Sequence, residues 1–454
     1  MEHFSVIILA AGNGTRMKSS LPKVMHKLSG KPLIGWTIES ISDLNPDVII
    51  VVLAAKRSSS STIKEYLSNS NVNNIDFVYQ NDQFGSAHAV MQAEVKLKNY
   101  DGCILIINGD VPLFDNSVLL SLMKNNKKTN SSVTILSSKV KNPFGYGRII
   151  KKNGFLERIV EEKDANLSEK RINEINSGVY CFDKNLWKAI SIIKPNNIKN
   201  EYYLTDAISI IKGFGKNISL VTSKHEIKGI NNRIELLQAE LLLKTKKINN
   251  LLDNGVTIID SLSVYISIDA KIGVDTVIYP GVFIDINVSI SKNCIIKGAS
   301  YIINSKIGSG SIISYSYIEN AIIKKNVTIG PFSHIRHGSI INNNVKIGNF
   351  SETKKTILGK NSKISHLSYI GDAKIGENVN VGAGTITCNY DGKKKYITTI
   401  GSKSFIGSNV NLIAPVKIGD EVLIAAGSTI TNDVPSHKFV IARTKQKIKN
   451  RKNL

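Results

Sequence analysis

The first half of the chain alternates short apolar runs with stretches of helical periodicity. The apolar runs include VIILAA at 6–11, DVIIVVLAA at 47–55 and CILIINGD at 103–110, and helical stretches such as PLIGWTIESIS at 32–42 lie between them. Nearly continuous apolar strands that alternate with helices predict a Rossmann-like α/β domain with a mostly parallel sheet covered on both faces. Ligands of such sheets bind beyond the carboxyl ends of the strands, so the loops after the first and third runs are candidate site loops.

A different periodicity begins near residue 255, after a segment at 231–255 that predicts one connecting helix ended by Gly255. Aliphatic residues then recur at every sixth position, in three phase-locked runs. These are Ile266, Ile272, Ile278, Ile284, Ile290, Ile296 and Ile302, then Ile323, Ile329, Ile335, Ile341 and Ile347, then Ile400, Ile406, Leu412, Ile418, Ile424 and Ile430. A period of six is typical of a parallel β-helix, in which each hexad forms one flat face and its aliphatic side chain points inward.

These patterns predict an α/β domain at 1–228, a linker helix at 229–250 and a β-helix domain at 251–454. A length of 454 residues also exceeds what one hydrophobic core usually organises. The hexad register breaks between Ile302 and Ile307 and between Ile370 and Ile375, and TCNYDGKKKYITT at 387–399 interrupts it for longer. Insertions in a solenoid bulge outward as loops, and loops on rigid scaffolds often carry binding residues.

The cysteines argue against metal and disulfide scaffolds. Cys103, Cys181, Cys294 and Cys388 lie far apart, and no CxxC pair is present. Zinc sites and disulfide frameworks need closer or more numerous cysteines. We therefore expect four isolated thiols.

Charge and hydropathy indicate whether the protein binds nucleic acid or a membrane. The formal net charge of +23 would suit a nucleic-acid binder, because clustered Lys and Arg release counterions from phosphate backbones. The lysines are scattered through the chain, however, and no zinc finger or basic recognition helix accompanies them, so we expect no nucleic-acid partner. No secretory signal is recognisable and no apolar stretch is long enough to span a bilayer. We therefore expect a cytoplasmic protein without membrane association.

The first apolar run leads into the glycine-rich turn LAAGNGTRMKSSLPK at 9–23. It matches neither the Walker A order nor GxGxxG. Gly12 and Gly14 permit close approach of a ligand to the backbone, and Arg16 and Lys23 follow as cations that could neutralise a polyphosphate. Taken alone, the turn fits an ordinary strand-to-helix connection with solvated charges equally well.

This turn resembles the signature of the sugar-1-phosphate nucleotidyltransferases. The wider pattern is similar to the bifunctional bacterial N-acetylglucosamine-1-phosphate uridyltransferases and glucosamine-1-phosphate acetyltransferases, and the resemblance covers nearly the whole chain. The matching stretches are QFGSAHA at 83–89, NGD at 108–110, GYGRI at 145–149, IVEEKDA at 159–165, EINSGVY at 174–180, EYYLTD at 201–206 and GINNR at 229–233, then GNFSETKK, HLSYIGDA, NVGAGTITCNYDG and IAAGSTIT in the hexad region. The resemblance implies a left-handed β-helix, a homotrimer and two activities in succession. Acetyl-CoA would acetylate glucosamine 1-phosphate, and UTP would then react with the resulting N-acetylglucosamine 1-phosphate.

For the uridyltransferase reaction, the resemblance implies one nucleotide-sugar site in the first domain. Its residues would be Leu9, Ala10, Ala11, Gly12, Lys23, Gln80, Gly85, Ser86, Asn108, Gly109, Asp110, Gly147, Glu161, Asn176 and Asn231. Asp110 and Asn231 would also bind Mg²⁺, a hard cation that suits one carboxylate, one carbonyl oxygen, phosphates and water. Positioning and charge neutralisation supply most of the catalysis in such transfers. Asn108 stands where the family often carries Tyr, so we expect mainly backbone contacts there.

The second implied site lies on the β-helix. Acetyl transfer from a thioester to an amine needs a base, and His366 in HLSYIGD matches the family's catalytic base. The glucosamine-1-phosphate residues would be Arg336, Lys354, Tyr369 and Asn380, and the acetyl-CoA residues would be Ala383, Asn389, Tyr390, Ser408, Ala426 and Arg443. His337 stands where Pro often follows the matching Arg. Cys388 lies beside this site, but direct transfer is a simpler mechanism than a thiol nucleophile.

The sequence leaves two other classes of function as alternatives. One is a single-activity nucleotide-sugar pyrophosphorylase whose β-helix only oligomerises the chain, and HLSYIGD together with CNYDG argues against it, because a scaffold needs neither motif. The other is a non-enzymatic subunit of the kind found in translation exchange-factor complexes. The presence of Lys23, Asp110 and Asn231 argues against that second alternative.

Overall fold

The computed structural model describes residues 3–55, 58–112, 116–195 and 197–448. It divides into two compact units, Met1–Glu240 and Leu241–Leu454. Among the described residues, no helix combines the length and the apolar character needed to cross a membrane.

The first unit contains a mixed sheet and a small two-stranded sheet. Its strands are β1 (Phe4–Leu9), β2 (Lys27–Leu28), β3 (Lys31–Pro32), β4 (Ile49–Ala54), β5 (Ile75–Gln80), β6 (Cys103–Asn108), β7 (Val133–Lys139), β8 (Arg148–Lys152), β9 (Phe155–Val160), β10 (Glu174–Phe182) and β11 (Ile218–Thr222). Its helices are α1 (Leu33–Ser42), α2 (Ser58–Ser68), α3 (Ser86–Met91), α4 (Glu94–Leu97), α5 (Asn116–Lys128), α6 (Asn185–Ile190) and α7 (Asp206–Gly213). Helix α8 (Arg233–Asp253) follows and continues into the second unit.

The large sheet has the order β11-β7-β10-β6-β1-β4-β5, and β8 pairs with β10 and β9. Strands β6, β1, β4 and β5 run parallel to one another, whereas β10 runs antiparallel to both β6 and β7. Strands β1 and β4 are almost completely buried and are apolar at nearly every position. This pattern is typical of a sheet that is covered by helices on both faces. The prediction of a mostly parallel sheet is confirmed, with β10 as the internal exception.

The expectation of four isolated thiols is wrong for one pair. Cys103 begins β6 and Cys181 lies in β10, and the structure joins them as a disulfide whose Cα atoms are 6.4 Å apart. The two cysteines are 78 residues apart in the sequence, and only the antiparallel pairing of their strands brings them together. Cys294 and Cys388 are free thiols. Spacing along the chain carries no information on strand pairing, which is why the sequence did not indicate this bond.

The second unit is a parallel β-helix with three faces. Face one consists of β12 (Thr257–Ile258), β15 (Val277–Ile278), β18 (Ile295–Lys297), β21 (Ile312–Ser314), β24 (Thr328–Ile329), β27 (Lys346–Ile347), β30 (Lys363–Ile364), β33 (Asn380–Val381), β36 (Phe405–Ile406), β39 (Leu423–Ile424) and β41 (Phe439–Val440). Face two consists of β13 (Tyr265–Ile266), β16 (Phe283–Ile284), β19 (Tyr301–Ile303), β22 (Tyr317–Glu319), β25 (His334–Ile335), β28 (Glu352–Lys354), β31 (Tyr369–Gly371), β34 (Ile386–Cys388), β37 (Asn411–Ile413) and β40 (Thr429–Ile430). Face three consists of β14 (Lys271–Ile272), β17 (Ser289–Ile290), β20 (Lys306–Ile307), β23 (Ile322–Ile323), β26 (Ile340–Ile341), β29 (Ile357–Leu358), β32 (Ala373–Ile375), β35 (Thr398–Ile400) and β38 (Val416–Ile418).

The hexad aliphatic residues form the interior of this β-helix. Ile278 and Ile284 are fully buried, and Ile272 packs against the same cluster at the first coil. The prediction from the period of six is therefore confirmed. Where the spacing shortens to five, as from Ile302 to Ile307, the chain turns the corner with one residue fewer and the strand pairing continues. The predicted outward loop follows β34 and returns at β35, with an isolated bridge between Tyr390 and Lys395.

Candidate active sites

The first unit contains a cavity of about 500 Å³ at the carboxyl ends of its central strands. Residues predicted for the nucleotide-sugar site line it. They are Leu9, Ala10, Ala11, Gly12, Lys23, Gln80, Gly85, Ser86, Asn108, Asp110 and Asn231. Because β1 and β6 are parallel neighbours, the loops that follow Leu9 and Asn108 meet at one edge of the sheet.

A second cavity of about 160 Å³ shares Leu9, Ser86, Asn108, Asp110 and Asn231 with the first. The remaining residues predicted for the sugar line it, namely Gly147, Glu161 and Asn176. Gly109 lines neither cavity: its amide donates a hydrogen bond to the Leu9 carbonyl at 3.0 Å and so ties the two strand ends together.

Cations and oxygen ligands converge where the two cavities meet. The Lys23 ammonium contacts the Asp110 carboxylate and donates a hydrogen bond to Asn231 Oδ1 at 2.9 Å. Arg16 Nη2 donates to the same Asn231 oxygen at 2.8 Å. Asp110 and Asn231 are both almost fully buried, so their oxygens have little access to water as a substitute partner.

This pair of oxygens fits a hard divalent cation. The Lys23 ammonium already lies between them, so a positive charge is stabilised at this position. A carboxylate and an amide oxygen are ligands that Mg²⁺ accepts alongside phosphate and water. The backbone also leaves room, because a Cβ added to Gly229 would lie 3.1 Å from both Asp110 carboxylate oxygens. Glycine at this position keeps the carboxylate open.

Two glutamine side chains shape the nucleotide end of the larger cavity. Gln80 Nε2 donates to the Gly85 carbonyl at 3.2 Å, and Gln83 Nε2 donates to the Ala11 carbonyl. Gly85 has a φ of +111°, and a Cβ there would lie 2.5 Å from the Tyr202 carbonyl oxygen. The start of helix α3 can therefore pack against the 201–206 segment only with glycine at this position.

The sugar cavity is held by buried polar contacts. Burial raises the pKa of Glu161, and Thr205 Oγ1 donates a hydrogen bond to Glu161 Oε1 at 3.2 Å. Asn176 Nδ2 donates to the Tyr180 hydroxyl at 2.6 Å, and the Asn176 amide donates to the Gly147 carbonyl at 2.8 Å. These contacts fix a carboxyl group and a carboxamide in a small polar pocket, which suits recognition of sugar hydroxyl and amide groups.

On the β-helix, His366 lies in the corner between faces one and two. Its Nδ1 forms a hydrogen bond of 2.7 Å with Asn349 Oδ1 from the preceding coil. Because a carboxamide oxygen only accepts, Nδ1 carries the proton and the lone pair of the neutral ring resides on Nε2. His366 is exposed, so this nitrogen is accessible to a reacting amine.

Four of the six predicted acetyl-CoA residues form a column along the same corner, namely Ala383, Ser408, Ala426 and Arg443. The Asn409 amide donates to the Ala383 carbonyl at 2.7 Å and the Gly427 amide donates to the Ser408 carbonyl at 2.8 Å. Arg443 Nη1 then donates to the Ala426 carbonyl at 2.6 Å. These residues belong to successive coils beyond His366, so the column leads away from the predicted base.

A cluster of cations lies at the other end of face two, where its strands lead towards face three. Arg336 Nη1 forms an ion pair of 2.6 Å with Glu352 Oε1, on the next coil. Lys354 lies at the end of β28, and Lys395 reaches it from the outward loop. The pKa of Lys354 is lowered, and the largest cause is the contact with the neighbouring Lys395 ammonium. Partial burial and the charges of Lys395 and Arg336 lower this pKa further. Like charges held together in this way favour an anionic ligand.

The remaining predicted residues of the second site lie on face one, on face two and on the outward loop. Tyr369 lies in β31 on face two, and Asn389 Nδ2 is 3.5 Å from its hydroxyl. Tyr390 is exposed on the outward loop. Asn380 begins β33 on face one, so a single copy of the chain does not bring it together with Arg336 and Lys354.

Models of known families match most of the chain. A model described as "Nucleotidyl transferase" matches residues 5–217. A model described as "GlmU-like, C-terminal hexapeptide" matches residues 297–378, and one described as "Bacterial transferase hexapeptide (six repeats)" matches residues 397–432.

Curated relatives extend this similarity over nearly the full length. The chain is 47% identical over 450 residues to a protein named "Bifunctional protein GlmU" from Thermoanaerobacter pseudethanolicus, covering 98% of this chain and 96% of the relative. It is 44% identical over 444 residues to the protein of that name from Listeria monocytogenes serotype 4a, covering 97% and 96%. The protein of that name from Acetivibrio thermocellus is 41% identical over 453 residues, covering 99% and 97%. The chain belongs to the GlmU family. As a member of this family it is an enzyme with a uridyltransferase and an acetyltransferase activity, and the resemblance stated from the sequence is confirmed.

Several residues in the two sites of this GlmU family member were missed by the sequence analysis as site residues. Gln83 and Lys199 line the nucleotide cavity, and Tyr146 lines the sugar cavity. Gln83 and Tyr146 lie within the motifs QFGSAHA and GYGRI, so the sequence carries a signal for both residues. Asn349 and Lys395 had a weaker signal, because only the coil register and the path of the outward loop bring them to His366 and Lys354.

Proposed function

We propose that the first unit couples UTP to N-acetylglucosamine 1-phosphate and that the larger and smaller cavities hold the nucleotide and the sugar. A phosphate oxygen of the sugar phosphate attacks the α-phosphorus of UTP, and the bond to the departing pyrophosphate breaks as the new P–O bond forms. Lys23 and Arg16 neutralise the phosphate oxygens during this exchange. Their convergence on Asn231 beside Asp110 supports this role, since such transfers depend on positioning and charge neutralisation.

Asp110 and Asn231 would hold Mg²⁺ in this reaction. When bound, the ion would neutralise phosphate charge and favour pyrophosphate as the leaving group. The two buried oxygens around the Lys23 ammonium support this assignment. The ammonium of Lys23 is then free to turn towards a phosphate oxygen.

On the β-helix, His366 would act as the base for acetyl transfer. The amine of glucosamine 1-phosphate attacks the thioester carbonyl carbon of acetyl-CoA, a C–N bond forms and the C–S bond breaks. His366 Nε2 takes the proton that the amine loses, and the coenzyme A thiolate leaves and is protonated. The hydrogen bond from His366 Nδ1 to Asn349 supports this role because it leaves Nε2 as the acceptor. Arg336, Lys354 and Lys395 would bind the sugar phosphate.

We also propose that the active form is a homotrimer in which β-helices pack side by side. Asn380 lies on face one, whereas Arg336, Lys354 and Tyr369 lie on face two of the same copy. A neighbouring copy that presents its face one could complete the site, and cyclic symmetry would close the assembly. The molar mass measured by light scattering tests this proposal, and a monomer with full acetyl transfer would contradict it.

The convergence of Lys23, Asp110 and Asn231 in the cavity carries the uridyltransferase proposal, and one assay tests both halves. The chain is incubated with glucosamine 1-phosphate, acetyl-CoA, UTP and Mg²⁺, and free thiol and pyrophosphate are measured separately. We expect thiol release without UTP, and pyrophosphate release only when acetyl-CoA or ready-made N-acetylglucosamine 1-phosphate is present. Pyrophosphate release from ready-made N-acetylglucosamine 1-phosphate without any thiol release would contradict the proposed acetyl transfer and support only the uridyltransferase reaction.

A further inference from the structure

Asn232 caps the N-terminus of helix α8 and pairs with Glu235. The Glu235 amide donates to Asn232 Oδ1 at 2.9 Å, and Asn232 Nδ2 donates back to Glu235 Oε1 at 3.2 Å. The Glu235 carboxylate also reaches past the cap, where its Oε2 accepts a hydrogen bond of 2.6 Å from the Asn231 amide. In an ordinary cap this acid only satisfies free amides at the start of a helix. Here the amide belongs to a residue whose side chain lies in the active-site cavity.

The same oxygen holds the sugar loop. The Tyr146 hydroxyl shares its one hydrogen between two acceptors, the Gly229 carbonyl oxygen at 2.7 Å and Glu235 Oε2 at 3.2 Å. Tyr146 and Gly147 both line the sugar cavity. Glu235 Oε2 is therefore the acceptor shared by two separate walls of the site.

We propose that Glu235 is a positioning residue that sets the metal ligand Asn231 and the sugar loop at 145–147 in one fixed relation. The inference rests on the proposed roles of Asn231 and of the sugar cavity. Glu235 lines neither cavity, so it acts through its hydrogen bonds to Asn231 and Tyr146 rather than through substrate.

Removal of this carboxylate should disturb both walls together. In Glu235→Ala the Asn231 amide loses its acceptor, so the Asn231 side-chain oxygen is no longer held towards Asp110. The Tyr146 hydroxyl keeps only the Gly229 carbonyl, and the sugar loop loosens. Glu235→Gln retains a side-chain oxygen of the same reach and should preserve both contacts. One lost hydrogen bond at a buried site corresponds to an effect on the order of tenfold.

The test uses the full chain and measures metal and sugar phosphate separately. Binding of Mn²⁺ alone is measured by electron paramagnetic resonance, and kcat and KM for N-acetylglucosamine 1-phosphate come from pyrophosphate release. For Glu235→Ala we expect Mn²⁺ affinity to fall and the KM for sugar phosphate to rise, each on the order of tenfold, with Glu235→Gln close to the parent. Glu240→Ala is the matched control, because Glu240 lies on the same helix and its carboxylate accepts hydrogen bonds of 2.7 Å from Ser29.

A double-mutant cycle supplies the decisive comparison. If Tyr146 acts through Glu235, the effects of Tyr146→Phe and Glu235→Ala on the KM for sugar phosphate are less than additive. The proposal is overturned if Glu235→Ala changes Mn²⁺ affinity no more than Glu240→Ala does, or if the two effects simply add. Asp110→Asn separates this result from the proposed function. If that variant binds Mn²⁺ as the parent does, the metal assignment itself is wrong.

Discussion

Lys23 donates a hydrogen bond from its ammonium group to Asn231 Oδ1 at 2.9 Å. The same ammonium contacts the Asp110 carboxylate, so it lies between the two residues proposed to bind Mg²⁺. A lysine in this position would compete with the proposed Mg²⁺ until a phosphate drew the ammonium away. We therefore expect Lys23 to weaken metal binding in the absence of nucleotide and to speed the transfer reaction when the phosphates are bound.

Lys23→Met should bind Mn²⁺ more tightly than the parent when no nucleotide is present, because the competing ammonium is gone. The same variant should release pyrophosphate more slowly by a factor on the order of 10²–10³, since the phosphates lose a cation in the transition state. Electron paramagnetic resonance and the pyrophosphate assay check the two effects. Lys27→Met is the control, because Lys27 is an exposed lysine on the nearby strand β2. Unchanged or weaker Mn²⁺ binding by Lys23→Met would show that the lysine does not compete.

His366→Ala should lower thiol release from acetyl-CoA by about 10²- to 10⁴-fold, the contribution typical of a positioned base. Pyrophosphate release from UTP and ready-made N-acetylglucosamine 1-phosphate should be unchanged, because that site lies in the other unit. Asn349→Ala should cost less, on the order of tenfold in kcat, since it removes only the acceptor that orients the ring.

His437→Ala provides the matched histidine control for these two variants. His437 lies on the same β-helix and its Nδ1 is 3.1 Å from Glu421. If His366→Ala lost both activities while it stayed folded, a single shared site or strong coupling between the units would have to replace the two-site assignment.

Because the pKa of Lys354 is lowered, the KM for glucosamine 1-phosphate in acetyl transfer should increase at alkaline pH. Lys395 lowers this pKa most, so the Lys354 ammonium loses its proton at a lower pH than an ordinary lysine does. As the pH rises through that region, the phosphate of glucosamine 1-phosphate loses a charged partner and its KM should increase. In Lys395→Met the repulsion is gone, the pKa of Lys354 returns towards its ordinary value, and the rise in KM should begin at higher pH. A KM profile that is identical in the two proteins would contradict this account.

The fold of the second unit could be predicted almost completely from the sequence, because one repeating constraint determines it. Each inward position needs an aliphatic residue, so the period of six appears directly in the chain. The corner positions also follow from this register. In the structure, His366 stands in one column with Ala383, Ser408 and Ala426, on successive coils of one corner.

Other features could not be predicted from the pattern of apolar and polar residues, because they depend on which segments become neighbours in the fold. The disulfide of Cys103 with Cys181 needs β10 to run antiparallel to β6, and no local residue choice encodes that direction. Helix α8 was predicted from the segment 231–255, yet two of its large apolar side chains, Ile234 and Leu237, are exposed in the structure. Lys395 reaches Lys354 only through the path of an irregular loop.

A ladder of asparagines offers a direct test of what stabilises the β-helix corners. Asn344, Asn361 and Asn378 stand on successive coils with φ of +61°, +61° and +57°. Each side-chain amide donates to the next side-chain oxygen, at 3.0 Å in both links. Asn is tolerated in this left-handed conformation better than other side chains, and the ladder adds hydrogen bonds that glycine cannot make.

Asn361→Ala should lower the free energy of unfolding by about 2 kcal/mol, because it loses both links of the ladder and places a Cβ-bearing residue without a polar side chain in the left-handed region. Asn361→Gly loses the same two hydrogen bonds but adopts a positive φ without strain, so it should cost about 1 kcal/mol less than the alanine variant. Denaturant midpoints of the two variants and the parent decide between these contributions. If glycine were as destabilising as alanine, the side-chain ladder alone would account for the stability of the corner, and if glycine matched the parent, the left-handed backbone alone would.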